Sequence, residues 1–278
     1  MATNHSPLRL NNLPSHSTST MSTPTPLPPL PLPAGITSTY IPTPNLHYHI
    51  LHAGNPSHPL LLLLHGFPEL AFSWRKIMPL LAAEGYHVVA YDQRGCGRTT
   101  GWDTRAFSSV DLNSTTLVRL VRDAVILVNA LGYKDVKCVL GHDFGAVVAS
   151  WCALIRPDLF KSVVIMSHPF KGSPALPTNT PNPNPAAPSP TEDIHESLAN
   201  LPPRKHYKWY YSTPTAATEM DNPKSELLPF LRGYFYLKSG HWPTNTPQPP
   251  GALPNSKISL PTTSCHSTHP CAKLSTKP

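Results

Sequence analysis

One stretch constrains the fold of this chain more than any other: an apolar run over 139–140, the sequence Gly-His-Asp-Phe-Gly over 141–145, and a second apolar run that continues to residue 155. The first run has the composition of a buried strand. In the second run Val148, Trp151 and Leu154 recur at the spacing of one helix face. The stretch therefore predicts a strand, a sharp turn and a helix.

The predicted turn matches the nucleophile elbow, in which the pattern G-x-S-x-G presents a nucleophile on a strained backbone. Gly141 and Gly145 keep their places, with His142 before the apex and Phe144 after it, but Asp143 replaces serine. An aspartate side chain is ionised at neutral pH, so it can attack a saturated carbon that carries a leaving group without first losing a proton. The alternative is that Asp143 only caps the following helix.

A second loop supports the interpretation as an elbow. The run Leu60–Leu64 predicts a buried strand, and it is followed by four loop residues: His65, Gly66, Phe67 and Pro68. In elbow folds, an N–H group from this loop joins the N–H group after the nucleophile to form an oxyanion hole. We therefore predict the backbone N–H groups of Phe67 and Phe144 as the two donors. The alternative for the first loop is an ordinary turn, which glycine and proline both favour.

The remaining apolar runs predict an α/β fold. Helices are expected over 72–84 and 114–131, and strands over 39–41, 46–52, 87–91, 136–140 and 162–166. Strands that alternate with helices at this spacing predict a mostly parallel sheet with helices on both faces. Reactive groups in such a sheet gather at the carboxyl ends of the strands, where Phe67 and Asp143 both fall.

Asp92 follows the predicted strand over 87–91 and opens the sequence Asp-Gln-Arg-Gly-Cys-Gly-Arg over 92–98. One interpretation makes Asp92 a catalytic acid. We favour the other, in which its side chain accepts hydrogen bonds from the glycine-rich turn and holds it in place.

The distribution of proline predicts the domain organisation. Of the 36 prolines, only five lie in residues 45–168, so a continuous core is expected there. The proline-rich run over 24–33 can adopt polyproline II and bind an aromatic groove, although a disordered extension is the favoured interpretation. We predict five segments: a disordered Pro/Ser/Thr-rich leader over 1–38, the α/β core over 39–168, a Pro/Asn-rich linker over 169–191, a partial helical cap rich in aromatics over 192–242, and an unstructured tail over 243–278.

The charge and the cysteine content of the chain limit the partners and the cellular compartment that we expect. The formal net charge is +7, but residues 45–168 hold 11 Lys/Arg against 9 Asp/Glu, so most of the excess lies outside the predicted core. No basic stripe with interleaved aromatics occurs, which argues against a nucleic-acid partner. Five cysteines is an odd number, and the sequence has neither a recognisable targeting segment nor an apolar run of membrane length. These features predict free thiols and a cytoplasmic location.

Together, the elbow with Asp143, the loop over 65–68 and the turn over 92–98 resemble those of the epoxide hydrolases, members of the α/β-hydrolase superfamily. The resemblance covers roughly residues 40–242. It implies that Asp143 opens an epoxide by attack on carbon and forms an ester whose carbonyl oxygen lies in the oxyanion hole. It implies no organic cofactor and no metal, and a small-molecule epoxide as the partner. The peptide bond before Pro68 is often cis in this family.

The resemblance also implies that cap tyrosines donate a hydrogen bond to the departing oxygen. Tyr207 matches the first of these tyrosines and is the predicted proton donor. Tyr210 or Tyr211 can take the same role, and packing within the cap is the alternative role for Tyr207. Haloalkane dehalogenases share the elbow, but a Trp whose indole N–H binds the halide usually follows their nucleophile, and Phe144 has no such donor.

The chain departs from the family in its last part. The family's catalytic acid and histidine follow late strands, and no such strand is recognisable after Trp242. His266 and His269 have no apolar strand before them, and a metal site there would lack a second ligand cluster. We therefore expect a shortened or mis-spliced chain that opens an epoxide once and stays esterified, or a non-catalytic remnant. The sequence does not predict an oligomeric state.

Overall fold

The structure is a computed structural model that describes residues 27–106, 108–170, 172, 211, 213–221 and 227–241. Six strands lie in the described residues: β1 (Ile36–Pro42), β2 (His47–Ala53), β3 (Leu60–Leu64), β4 (His87–Tyr91), β5 (Cys138–His142) and β6 (Val163–Met166). The helices are α1 (Met78–Ala83), α2 (Leu117–Ala130), α3 (Phe144–Ile155), α4 (Ala216–Asp221) and α5 (Leu227–Lys238). Short 3₁₀ helices cover Ala71–Lys76 and Leu112–Thr115.

The strands form one sheet in the order β1-β2-β4-β3-β5-β6. The β1–β2 and β2–β4 pairs are antiparallel, whereas β4, β3, β5 and β6 run parallel. The predicted α/β fold with a mostly parallel sheet is therefore confirmed. Parallel order brings the carboxyl ends of β3, β4 and β5 to one edge of the sheet.

The core of the sheet is built from strands that are almost entirely apolar, with His87 at the start of β4 as the exception. Every residue of β3 and of β4 is buried, as expected for strands covered on both faces. Because side chains alternate along a strand, Leu61 and Leu63 pack with Met78 of α1, and the side chain of Leu62 between them points to the opposite face. Helices α2 and α3 contact each other, and the apolar stripe of α2 includes the buried residues Leu120, Val121, Ala124, Leu127 and Val128.

Several predicted boundaries are wrong for identifiable reasons. The strand predicted over 136–140 begins at Cys138, since Val136 makes only an isolated bridge to Phe160. The helix predicted over 72–84 is divided into a 3₁₀ helix and α1, with Pro79 in the first turn of α1. The helix predicted from 114 begins at Leu117.

The disordered leader was predicted to extend to residue 38, but the ordered structure begins before that residue. Strand β1 begins at Ile36, and the side chains of Leu30 and Leu32 pack against the core cluster that contains Trp74. A guanidinium N–H of Arg98 also donates to the carbonyl of Pro28 at 2.5 Å. Apolar side chains between the prolines thus anchor this stretch to the sheet.

The chain divides into two compact units, and the sheet belongs to the unit made of Met1–Gly101 and Leu117–Phe170. The other unit, Trp102–Thr116 with Lys171–Pro278, contains α4 and α5. Residues 102–116 therefore interrupt the core that was predicted to be continuous over 45–168. The role of 192–242 as a cap stays a prediction, and most of the linker over 169–191 and the whole tail over 243–278 lie outside the described residues. No helix in the described ranges is long and apolar enough to cross a membrane.

Candidate active site

Asp143 occupies the apex of a sharp turn between β5 and α3. Its backbone angles are φ 53° and ψ −120°, a combination that costs free energy for any residue with a Cβ. The turn is held on both sides, because the N–H of Asp143 donates to the carbonyl of Met166 at 3.1 Å and the N–H of Ala146 donates to the carbonyl of Asp143 at 3.0 Å. The carboxylate makes no capping hydrogen bond to α3. The geometry thus differs from that of a helix cap.

Three glycines allow the loops of the site to approach one another. A Cβ on Gly66 would lie 2.5 Å from the Cβ of Asp143 and 2.8 Å from its Oδ1. A Cβ on Gly145 would lie 2.2 Å from the carbonyl oxygen of Leu64, and one on Gly141 would lie 2.2 Å from the carbonyl oxygen of Gly145. These distances explain physically why the residues on either side of the apex are glycine.

The predicted oxyanion-hole donor Phe67 contacts the carboxylate. Its backbone N–H donates to Oδ1 of Asp143 at 3.3 Å, and the Phe67–Pro68 peptide bond is cis, as expected. Phe144, the second predicted donor, is the first residue of α3, and the N–H groups of a first helical turn have no partner within their own helix. Within the described residues Oδ2 of Asp143 has no hydrogen-bond partner. One carboxylate oxygen therefore has a backbone donor, and the other has no hydrogen-bond partner within the described residues.

His65 supports the loop that carries Phe67. Its Nδ1 lies 2.8 Å from the carbonyl oxygen of Gly66, and its Nε2 accepts from the N–H of Gln93 at 3.1 Å. The side chain of Gln93 in turn donates to the carbonyl of His65 at 2.6 Å. Burial lowers the pKa of His65 below its ordinary value, which keeps the ring neutral and able to accept at Nε2. His65 therefore has a structural role in this site.

His142, directly before Asp143, pairs with Glu69. The distance from Nδ1 of His142 to Oε2 of Glu69 is 3.0 Å, and both side chains are partly exposed. The sequence analysis did not single out Glu69, although it lies next to Pro68 in the same loop. The pair connects the loop after β3 to the end of β5, the two segments that carry Phe67 and Asp143.

Asp92 stabilises the turn after β4, which is the role that its position in the sequence favoured. Its carboxylate accepts from the N–H groups of Ala71 and Arg98, each at 2.9 Å, and lies 2.7 Å from Nδ1 of His49. Burial alone would raise the pKa of Asp92, but the hydrogen bonds from His49, Arg98 and Ala71 lower it below its ordinary value. A Cβ on Gly97 would lie 2.3 Å from Oδ2 of Asp92.

Sequence reasoning missed a buried ion pair next to this turn. Arg94 donates two hydrogen bonds to Asp123 of α2, at 2.7 and 2.8 Å, and Asn45 donates a third at 2.7 Å. The signal was present, because Asp123 lies directly before Ala124 on the apolar stripe of α2. A charged residue at the edge of such a stripe indicates a buried partner.

The remaining predicted site residues lie outside the described residues. These are Tyr207 and its alternative Tyr210; His266 and His269, which were not predicted as site residues, also lie outside the described residues. Tyr211, the other alternative, is described, and its hydroxyl donates to the hydroxyl of Tyr234 at 3.1 Å. Among the residues that the structure describes, no group of three or more His, Cys, Asp or Glu side chains is arranged to hold a metal ion.

Comparison with known proteins identifies a fold family and similar proteins. Residues 59–213 match the α/β hydrolase fold family. The chain is similar to epoxide hydrolase A of Mycobacterium tuberculosis, with 38% identity over 133 residues, which is 48% of this chain and 39% of that protein. It is also similar to epoxide hydrolase B of the same organism, with 36% identity over 188 residues, which is 66% of this chain and 47% of that protein. The chain thus spans about half or less of the length of these curated relatives.

Solved structures give the same picture. The fold is similar to that of an epoxide hydrolase from an endophytic Streptomyces, with a TM-score of 0.58 and 30% identity, covering 75% of this chain and 55% of that one. It is also similar to potato (Solanum tuberosum) epoxide hydrolase I, with a TM-score of 0.55 and 31% identity, covering 70% and 56% of the two chains. The resemblance to epoxide hydrolases that the two loop motifs predicted is confirmed.

Proposed function

Because the chain belongs to the α/β-hydrolase fold family, and its curated relatives are epoxide hydrolases, we propose that it opens small-molecule epoxides through an ester on Asp143. The observation that carries the proposal is the state of the Asp143 carboxylate. It sits on a strained backbone, with Oδ1 held by the N–H of Phe67 and Oδ2 free within the described residues.

In the first step Oδ2 attacks a ring carbon of the epoxide, the bond between that carbon and the ring oxygen breaks, and an alkyl ester forms. The departing oxygen takes a proton, which we assign to the hydroxyl of Tyr207 from the family resemblance. Oδ1 becomes the ester carbonyl oxygen and stays next to the N–H of Phe67. A single donor of this kind typically contributes about 2.7–4 kcal/mol of transition-state stabilisation when negative charge develops on that oxygen.

The second step requires a base that directs water to the ester carbonyl. In the described ranges two histidines hydrogen-bond a carboxylate, His49 with Asp92 and His142 with Glu69. Neither follows a late strand, which is where the family resemblance places the histidine and acid of hydrolysis. We therefore propose that ester hydrolysis is slower than epoxide opening in this chain, so that the ester accumulates.

The test is to incubate the protein with an aryl epoxide such as styrene oxide and to record its intact mass over time. The proposal predicts the addition of one epoxide mass and less than one diol released per protein chain during that time. The Asp143→Asn variant should show no addition, because an amide oxygen is a much weaker nucleophile than a carboxylate. A wild-type protein that gains no mass and releases no diol would refute the proposal, and rapid release of diol would refute the slow second step.

We place this activity in the cytoplasm on the basis of the cysteines. Cys96, Cys138 and Cys152 are free thiols. Burial raises the pKa of Cys96 to about 11 and that of Cys152 to about 12, so both stay protonated and unreactive near neutral pH. Free thiols are typical of reducing compartments.

A further inference from the structure

A second set of reactive side chains lies on β1, on β2 and at the end of β4. The Oγ of Ser38 lies 2.9 Å from Nε2 of His49, and Nδ1 of His49 lies 2.7 Å from Oδ2 of Asp92. These three residues therefore form a continuous chain of hydrogen bonds from a hydroxyl through an imidazole to a carboxylate. The order and the contacting atoms are those of a Ser-His-Asp nucleophile, which is recognised by geometry and not by position in the sequence.

The register of the sheet fixes this arrangement. In the antiparallel β1–β2 pair, Tyr40 lies opposite His49, and the ring centroids of the two residues are 5.3 Å apart. Ser38 precedes Tyr40 by two residues and so projects on the same face of β1. Diagonal neighbours of this kind lie within side-chain reach across an antiparallel pair. The contact between Ser38 and His49 thus follows from strand pairing.

The surroundings of Asp92 assign the protons in this chain of hydrogen bonds. Asp92 accepts from two peptide N–H groups and stays ionised, so Nδ1 of His49 must carry the proton that it shares with Oδ2. In the neutral ring Nε2 is then the acceptor, and the hydroxyl of Ser38 donates to it. This is the tautomer that a general base requires.

Burial also follows the pattern of an activated nucleophile. His49 is 1% exposed and Asp92 is 2% exposed, whereas Ser38 is exposed on β1, the outermost strand of the sheet. The base and its orienting acid are therefore shielded from water, and the hydroxyl is accessible. Alternate peptide N–H groups of an edge strand point away from its neighbour, and such groups can donate to an oxyanion.

These residues are separate from the Asp143 site. Strand β1 and strand β5 are four positions apart in the sheet, which corresponds to about 19 Å at the usual spacing between strands. The hydrogen bonds of His49 and Asp92 also stabilise the turn after β4. That structural role does not require an oxygen on residue 38, because the side chain of Ser38 is exposed to water.

We propose that Ser38 is a second nucleophile of this protein, with His49 as its general base and Asp92 as the residue that orients His49. The site would take small esters with good leaving groups, because it is open and offers little binding surface. In the reaction with an aryl ester, Oγ bonds to the acyl carbon as its proton moves to Nε2 of His49. The bond from the acyl carbon to the aryl oxygen then breaks, and the phenol leaves with that proton.

The test uses an alkyl fluorophosphonate, which forms a stable bond to an activated serine oxygen and releases fluoride. Ser57 is a matched control in the same protein, because it is also exposed. Its hydroxyl donates to the amide oxygen Oδ1 of Asn55 at 2.9 Å, and this acceptor is not a general base. We expect Ser38 to be labelled at least about a hundredfold faster than Ser57, as measured on the two peptides after digestion, since general-base assistance contributes 10²–10⁴-fold. Equal rates would overturn the proposal.

A second experiment changes only exposed serines and leaves the buried His49 and Asp92 as they are. In Ser38→Cys the new thiol lies next to Nε2 of His49, and in Ser57→Cys it does not. We expect alkylation of Cys at position 38 by iodoacetamide to reach its half-maximal rate at a lower pH than at position 57, because a neighbouring imidazole stabilises the thiolate. Identical pH profiles for the two variants would contradict the assigned role of His49, and a shifted profile in a folded protein would support it.

Discussion

Asp92 and Asp143 occupy equivalent places in the sheet and have opposite properties. Each follows a parallel strand at its carboxyl end, Asp92 after the buried β4 and Asp143 after the partly buried β5. Asp92 is 2% exposed and accepts hydrogen bonds from His49, Ala71 and Arg98. Asp143 is partly exposed and accepts one long hydrogen bond, from Phe67, on a backbone with positive φ. The carboxylate that we propose as the nucleophile thus differs from Asp92 in its incomplete hydrogen bonding and its strained turn, and not in its place at the end of a strand.

The largest expected difference between the two carboxylates is in chemistry. Asp143→Asn should abolish the epoxide adduct while changing the free energy of unfolding by no more than about 1 kcal/mol, since the side chain makes one weak hydrogen bond. Intact mass after incubation with styrene oxide measures the first quantity, and urea denaturation measures the second. An adduct of undiminished yield in this variant would place the nucleophile elsewhere.

The second largest difference is in stability. Asp92→Asn should lower the free energy of unfolding by about 3 kcal/mol, because it leaves buried donors partly unsatisfied and removes the partner of His49. Urea denaturation of the variant against wild type checks this value. Asp111→Asn is a suitable control, because Asp111 is exposed and accepts a hydrogen bond from Asn113 on the surface. If both variants lost the same small amount of unfolding free energy, the prediction that Asp92 stabilises the fold more than the exposed Asp111 does would be wrong.

The close approach of the two loops gives a third prediction. In Gly66→Ala the added Cβ would lie 2.5 Å from the Cβ of Asp143, so one of the two loops must move. Displacement of a reacting group by about 1 Å typically costs about a hundredfold in rate. We expect the rate of adduct formation to fall by that order, as followed by mass spectrometry. In Gly240→Ala, where no atom lies within 4 Å of the added Cβ and φ lies outside the left-handed region, the rate should be unchanged.

The smallest expected effect is a change of stability with pH. It arises from His87, the first residue of β4, at the opposite end of that strand from Asp92. His87 Nδ1 lies 2.7 Å from the hydroxyl of Tyr133 and its Nε2 lies 3.3 Å from Nδ1 of His52. Burial lowers the pKa of His87 to about 4, with further lowering from the neighbouring His52 and His58. The folded protein therefore holds His87 neutral at pH values where the unfolded chain, with a pKa near 6.5, takes up a proton.

Stability from this cluster is thus fully present above about pH 6.5 and is lost as the pH falls to about 4. The loss should be about 2 kcal/mol between these values, measured by urea denaturation at a series of pH values. In His87→Gln this part of the pH dependence should disappear, whereas His47→Gln, at an exposed position, should retain it. A wild-type stability that does not change across this window would contradict the assignment.

The parts of the fold that follow from continuous local patterns were predictable. The bounds of β3 and β4 match the runs over 60–64 and 87–91, because strands buried on both faces are apolar at nearly every position and His87 is the only polar residue of the two. The elbow and the loop with Phe67 were predictable from glycine spacing, since close approach requires glycine. The anchoring of Leu30 and Leu32 was not predictable, because proline-rich composition favours disorder and only the completed core provides their contacts.

The polar contacts of the site depended on tertiary structure. Glu69 and His142 are 73 residues apart in the sequence, and Ser38 and Asp92 are brought together only by the order in which β1, β2 and β4 pair. No local pattern specifies such pairs. The donor assigned as Tyr207 and the position of a hydrolytic base stay predictions that rest on the resemblance to epoxide hydrolases.

The most direct test of the central contrast is to locate the epoxide adduct by digestion and fragmentation of the labelled protein. The account predicts the alkyl ester on the peptide that contains Asp143 and none on the peptide that contains Asp92, although both side chains lie at the same edge of the sheet. An ester on Asp92, or on surface carboxylates such as Asp158 to the same extent as on Asp143, would contradict it.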